Sequence, residues 1–228
     1  VKSTLTGEAV RANRGVFGPE TIVLTLQNGL GNIELIQAEL GRDNIIAGTT
    51  AHGATMLGPG RMRHAGSGKT VIGELTGMKT DRIYRISELF SRAGFETEVS
   101  DNVMGLIWDK LLVNVGINAI TAITELPNGE IIKYGELDSI LESAVKEARL
   151  VALTKGIKLN YEDPVAHTRE VCIATAENKS SMLQDILNNK QTEIQMINGA
   201  VCREGKSAGI ATPVNSVLTN IILFKQRR

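Results

Sequence analysis

A chain of 228 residues is long enough for one or two domains with a buried core. Hydrophobic residues make up 42% and charged residues 22%, and 25 basic against 25 acidic side chains leave a formal net charge of zero. That balance argues against a broad electrostatic grip on nucleic acid or an anionic membrane. The one basic run, Lys225-Gln-Arg-Arg228, reads as a solvated tail. Apolar stretches such as residues 111–115 read as too short to span a bilayer, and no charged segment followed by an apolar one opens the chain as a secretory signal would. Two cysteines, Cys172 and Cys202, form neither a disulfide framework nor a metal site, and read as buried thiols in a reducing cytoplasm.

The first hundred residues read as strands, turns and short helices. Residues 21–26, rich in β-branched and apolar side chains, predict a strand buried on both faces, as in parallel sheets. Asn28-Gly-Leu-Gly31 follows as a turn. Residues 33–40 have helical spacing with Gly41 as the stop, and residues 44–50 predict a second strand, which completes a βαβ unit. Residues 61–75 predict two short strands around a turn at Gly66-Ser-Gly68. Residues 81–93 predict a helix with Ile83, Ile86, Leu89 and Phe90 on one face, and residues 96–99 an edge strand. Beyond residue 100 the pattern turns helical, with helices over about 102–124, 134–155, 163–178, 182–190, 192–208 and 212–225. Gly156 stops the second and Pro213 opens the last. Ser181-Met-Leu-Gln184 has the form of a capping box.

The expected architecture is α/β followed by all-α. Residues 1–99 read as the C-terminal half of a Rossmann-like doubly wound domain, and residues 100–228 as a helical domain. A doubly wound domain opens with a strand and a glycine-rich phosphate loop, whereas Val1-Lys-Ser-Thr4 opens with neither. There is no G-x-G-x-x-G, because Glu34 stands where the third glycine after Gly29-Leu-Gly31 would be. Two βαβ units, about 60 residues, are then expected to be missing. Gly66-Ser-Gly-Lys-Thr70 ends like a nucleoside-triphosphate loop, but Arg63 replaces the required first glycine and a strand-like Val71-Ile-Gly73 follows instead of a helix. A tight turn is the expectation there.

The segment from Leu106 to Ile123 is apolar nearly all round, which marks a buried helix. At 100° per residue, Lys110, Asn114, Asn118 and Thr121 fall within an arc of about 80° and form one polar stripe. A desolvated lysine has a lowered pKa suited to proton transfer near neutral pH, and two neighbouring amides can orient a small polar ligand. A snorkelling lysine with amides serving backbone groups explains the same spacing, and spacing alone leaves both open. Ser181 can equally be a helix cap, Glu193 a carboxylate favoured by a helix N-terminus, and Asn128 a turn residue in Pro-Asn-Gly.

Taken in order, Leu26-Gln-Asn-Gly-Leu-Gly31, Trp108-Asp-Lys110 with Asn114 and Asn118, Pro127-Asn-Gly129, Ser180-Ser-Met-Leu-Gln-Asp185, Thr192-Glu-Ile194, Ile197-Asn-Gly199 and Gly209-Ile-Ala-Thr-Pro213 resemble the ketopantoate reductases (2-dehydropantoate 2-reductases) across essentially the whole chain. The resemblance implies a helical domain like that of 6-phosphogluconate dehydrogenase. It also implies NADPH-dependent reduction of ketopantoate to pantoate, on the way to pantothenate and coenzyme A. It makes Lys110 the proton donor to the ketone oxygen, with Glu193 near the cofactor and favouring the protonated ammonium. Asn114, Asn118, Asn128, Asn178 and Ser181 become substrate ligands. Asn28 touches both nicotinamide and substrate, and Ala54 gives a backbone contact to the cofactor. His52, His64 and His167 receive no role, and no metal is expected. The expected partners are a small-molecule substrate and a second copy in a homodimer, with no nucleic acid or membrane, in the cytoplasm. Because the phosphate loop belongs to the part expected to be missing, the chain as given is expected to bind NADPH poorly and to be inactive alone. A related 2-keto acid reductase and a non-catalytic module are the competing readings.

Overall fold

The computed structural model describes residues 1–41 and 44–227, the side chains at positions 55, 56 and 65 excepted. The chain divides into two compact units. One comprises Val1, Leu5–Gln27 and Asn32–Ile107, the other Lys2–Thr4, Asn28–Gly31 and Trp108–Arg228.

The first unit holds a mixed four-stranded sheet in the order β1-β2-β5-β6. Strand β1 (Val23–Thr25) pairs in parallel with β2 (Ile45–Thr50), and α2 (Asn32–Leu40) connects them as the expected βαβ unit. The expected strand over 21–26 is shorter than its apolar run. Thr25 alone of its three residues is buried, because β1 lies at the edge of the described sheet. Ile45, Ile46 and Ala47 of β2 are fully buried, as its continuous apolar run requires. Strands β3 (Gly53–Gly58) and β4 (Arg61–Gly66) form a separate antiparallel hairpin. The two strands expected around Gly66-Ser-Gly68 exist, but they are not partners. β4 pairs with β3, while β5 (Thr70–Glu74) returns antiparallel to β2. The doubly wound expectation is therefore met by a mixed sheet in which β5 and β6 both run opposite to β1 and β2. The Gly66–Thr70 segment is a link between strands, and Lys69 forms an ion pair with Glu98.

Helix α1 (Thr6–Ala12), which the sequence pattern did not announce, packs on α2, where Val10 joins Ile36 and Ile45 in a small core. Helix α3 (Asp81–Arg92) carries Ile83 into the second small core of this unit, with Ile46 and Ile72. Its expected apolar face is only partly used, since Leu89 is 62% exposed. Strand β6 (Thr97–Val99) closes the far edge, parallel to β5. Buried Glu74 takes a bidentate pair from Arg82 at 2.5 and 2.7 Å and the Thr80 hydroxyl at 2.5 Å. These donors, Arg82 foremost, hold its carboxyl below the usual range against the opposing effect of burial.

Helix α4 (Val103–Thr124) begins in the first unit and supplies the core of the second. It corrects one expectation. Its 22 residues are long and apolar enough to cross a membrane by length and composition, although 67% of the relevant window is buried inside the protein. A core helix passes the same test. Trp108, Leu111, Leu112, Val115 and Ile120 pack here against Leu141, Val145 and Val151 of α5 (Gly135–Thr154) and against Cys172 of α6 (Pro164–Ala174). Gly116 permits the close approach, since a Cβ there would sit 2.8 Å from a Val145 methyl and 2.9 Å from a Thr168 methyl. Helices α7 (Ser181–Leu187), α8 (Asn198–Ala208) and α9 (Pro213–Lys225) complete the unit.

The expected helix over 192–208 is broken into a 3-10 turn, Ile194–Met196, and α8. Between them Ile197 departs from helical geometry at φ −110° and ψ −98°. The expected helix over 163–178 stops at Ala174. Lys225 is not solvated tail: its Nζ donates to Ile123 O at 3.2 Å and pairs with Glu125 at 2.8 Å, completing the end of α4. Arg228 lies outside the described residues. Cys172 is buried, which pushes its thiol up to about 11, while Cys202 is only half-buried.

Candidate active site

The second unit holds every expected site residue except Ala54, an exposed residue of β3 in the first. The polar stripe lies along α4 as its spacing requires. Lys110 and Asn114 are half-buried, Asn118 is 5% exposed, and Thr121 is fully buried. Burial holds the Lys110 ammonium below the ordinary lysine range, and the Glu193 carboxylate pulls in the opposite direction. Desolvation dominates, so this lysine is poised to give up a proton more readily than a surface one. The side-chain amides of Asn114 and Asn118 make no hydrogen bond to described residues, which leaves both free to serve a ligand.

Glu193 does not open an α-helix. It precedes the Ile194–Met196 turn, and its Oε1 accepts the Ser3 N–H at 2.9 Å. The Ser3 hydroxyl in turn donates to Asn28 O at 2.7 Å. Ser3, itself fully buried, thus joins two expected site residues, Asn28 and Glu193. It was missed because nothing local marks it: the Ser3–Glu193 contact spans 190 positions. The same three segments are bound again where Leu30 N–H donates to Met196 O at 2.9 Å, and Lys2 pairs with Asp185 and donates to Gln191 O at 3.1 Å. Burial raises the Asp185 carboxyl, with Lys2 opposing. Gly29, at φ +81°, sits so close to Met196 that a Cβ would fall 2.2 Å from its carbonyl oxygen.

A second cluster gathers around Asn128. Its N–H donates to Asn178 O at 2.9 Å and its Nδ2 to Thr175 Oγ1 at 2.9 Å, while its Oδ1 is buried with no partner among the described residues. Asn178 is exposed and contributes only its backbone to these links. The cap of α7 is Ser180, whose Oγ accepts the Leu183 N–H at 3.1 Å. The capping box expected at Ser181 is therefore not formed, because Gln184 turns to Lys179 O instead. Ser181 occupies the first turn of α7, exposed and with its hydroxyl uncommitted to described residues. Neither Asn128 nor Asn178 is joined directly to the Lys110 end of the stripe. Outside both clusters, His52 and His64 bond to each other at 3.0 Å and His167 stacks on Tyr161.

A parallel β1–α2–β2 unit with the Asn28 turn directly after β1, a half-buried lysine that feels a carboxylate and a helical core are features of the dinucleotide-binding oxidoreductases. The family model "Ketopantoate reductase PanE/ApbA C terminal" matches residues 102–226, and "Ketopantoate reductase PanE/ApbA" matches residues 1–77. A 2-dehydropantoate 2-reductase of Halobacterium salinarum is 40% identical over the whole chain, which spans 74% of that relative. One of Pyrococcus horikoshii is 38% identical over 99% of this chain and 73% of its own length. Among solved structures, a PanE/ApbA family ketopantoate reductase from Ralstonia eutropha superposes with a TM-score of 0.91 at 32% identity, covering all of this chain and 74% of that one. D-mandelate dehydrogenase in complex with NADH superposes with a TM-score of 0.93 at 28% identity, over all of this chain and 77% of that one. The chain belongs to the ketopantoate reductase family.

Proposed function

We propose that the protein reduces 2-dehydropantoate to pantoate with NADPH, in the supply of pantothenate and coenzyme A. The observation that carries this reading is a half-buried lysine with a lowered pKa, in reach of the Glu193 charge, on the same helix face as two uncommitted amides. The residues suit a nicotinamide. Asn28 follows a parallel strand at its carboxyl end, where such groups bind, and its backbone is pinned by Ser3. A reduced nicotinamide, when bound, supplies the hydride. Lys110 holds a proton at Nζ and delivers it to the ketone oxygen as negative charge develops there, while Glu193 keeps enough of the lysine protonated to act as acid. Asn114 and Asn118 orient the substrate without adding charge. Asn128, with a buried carbonyl oxygen in want of a donor, together with Asn178 and Ser181, serves its hydroxyl and carboxylate end. Ala54 lends its backbone to the coenzyme. In domain terms, residues 1–99 belong to the coenzyme domain and 100–228 to the substrate domain.

A second reading, a reductase for another 2-keto acid, is favoured by the likeness to D-mandelate dehydrogenase. Turnover of the natural full-length protein with ketopantoate and with an aromatic 2-keto acid, each with NADPH and NADH, separates the two. A higher kcat/KM for the aromatic acid would refute the first reading. We further propose a homodimer, supported by Val217, Ile221 and Phe224 exposed along one face of α9 and checked by sedimentation equilibrium. Free Cys172 and Cys202 agree with a reducing cytoplasmic setting.

A further inference from the structure

Thr121 is the fourth polar residue of the α4 stripe, yet it is fully buried and cannot face a ligand. Its Oγ1 lies 2.9 Å from Ile117 O, 3.0 Å from Asn118 O and 2.7 Å from Ser180 Oγ. A hydroxyl has one hydrogen to give, and the surroundings decide its direction. Ser180 Oγ already accepts the Leu183 N–H as the cap of α7. If Thr121 also donated to it, the buried Ser180 hydrogen would have no acceptor among the described residues, a costly arrangement. The hydrogens therefore run one way: Leu183 N–H to Ser180, Ser180 O–H to Thr121, and Thr121 O–H back to the carbonyls of Ile117 and Asn118.

This chain ties the first turn of α7 to the turn of α4 that carries Asn118. Ser181 is the next residue after the tie. On the other side of Ser180, the loop is held by the N–H groups of Asn128 and Gly129, which donate to Asn178 O at 2.9 Å and Ala176 O at 3.1 Å. Three groups of proposed substrate ligands, on α4, in the Asn128 turn and on α7, are thus mutually placed, α4 and α7 through one pair of hydroxyls and the Asn128 turn through two backbone hydrogen bonds. We propose that Thr121 and Ser180 are positioning residues that set the spacing between Asn118 and Ser181, and with it the fit of the 2-keto acid. The inference rests on Asn118 and Ser181 being substrate ligands.

The test uses the natural full-length protein. Thr121→Val replaces the hydroxyl with a methyl of nearly the same size and should raise KM for ketopantoate about 3- to 10-fold, the scale of one lost hydrogen bond. kcat and the KM for coenzyme should not move, and Thr121→Ser should restore the original KM. Ser180→Ala, which leaves Thr121 bonded to its own helix, should give the same shift and keeps the test open if Thr121→Val does not fold. Ser181→Ala separates the two levels of the argument. If it raises KM while Thr121→Val and Ser180→Ala change thermal stability alone, the positioning role is overturned. If Ser181→Ala itself leaves KM unchanged, the assignment of Ser181 as a ligand fails, and the inference with it.

Discussion

Replacing Gly29 with alanine tests how closely the two halves of the Lys110 end are fitted. The residue stands at φ +81°, in the left-handed region, where a Cβ costs about 1–2 kcal/mol. The new Cβ would also lie 2.2 Å from the Met196 carbonyl oxygen and 2.8 Å from its carbon, both backbone atoms that no rotamer change can move. The Asn28–Gly31 turn and the Ile194–Met196 turn must part, and the Leu30 N–H to Met196 O bond goes with them, for a further ~0.5–1.5 kcal/mol. A total of about 2–3 kcal/mol should lower Tm by roughly 5–10 °C in a chain of this size. Because Asn28 and Glu193 ride on the two parted segments, kcat/KM should fall at least tenfold, the effect of about 1.4 kcal/mol. Gly41→Ala is the control. Its φ is +63° but no described residue lies within 4 Å of its Cβ, so it should lose stability alone. Calorimetry and steady-state rates on both variants decide the matter. If Gly29→Ala behaves like Gly41→Ala, the contact with Met196 does not organise the site.

Lys110→Met should lower kcat by about 10²–10⁴-fold, the usual loss of a general acid, while raising Tm at neutral pH. Burial depresses this lysine, so the folded state bears the cost of a desolvated charge below the depressed pKa and sheds it as pH rises toward the ordinary value of 10.5. The Tm advantage of the variant should therefore shrink in alkali, and a constant advantage would refute the burial argument. Glu74 has a depressed carboxyl, so its contribution is full above its ordinary 4.5 and is lost as pH falls through the depressed value. Arg82→Met should accordingly destabilise at neutral pH and lose that penalty in acid, as followed by circular dichroism. Asn215 is fully buried, donating to Ala144 O at 3.0 Å and Glu147 Oε2 at 2.7 Å and accepting from Asn198 at 3.0 Å. Asn215→Leu should cost about 2–4 kcal/mol in urea unfolding, because it strands several buried partners at once.

Features set by local pattern could be read directly. Helix α4 was legible because most of the eighteen positions from Leu106 to Ile123 are apolar, a pattern that marks a buried helix, and the βαβ unit because its strands and glycine stop are consecutive. Helix α1 was not, since seven residues with one buried apolar side chain, Val10, carry too little period to detect. The β3–β4 hairpin was hidden by sequences with few β-branched residues, and Leu89 looked like core because periodicity names a face without saying whether anything covers it. The pattern makes Ser181 a candidate cap, whereas its neighbour Ser180 holds that place. Two adjacent serines before an apolar run are equivalent by pattern, and only the backbone turn distinguishes them.

The polar groups of the site divide along the same line. Spacing on one helix placed Lys110, Asn114, Asn118 and Thr121 on one stripe, but could not say which of them a ligand could use. That distinction is made by remote segments. Ser180, 59 positions away, donates to the Thr121 hydroxyl, and Ser3 engages Glu193 across 190. A buried polar side chain without such a partner is costly to the fold, and the Asn128 carbonyl oxygen is such a group, while the Asn114 and Asn118 amides, which make no hydrogen bond to described residues, stay open to a bound molecule. It follows that substrate analogues should raise Tm more in the natural protein than in an Asn118→Leu variant, whose apo form should itself be the more stable. An apo Tm that falls on that substitution would mean the amide is already satisfied within the fold.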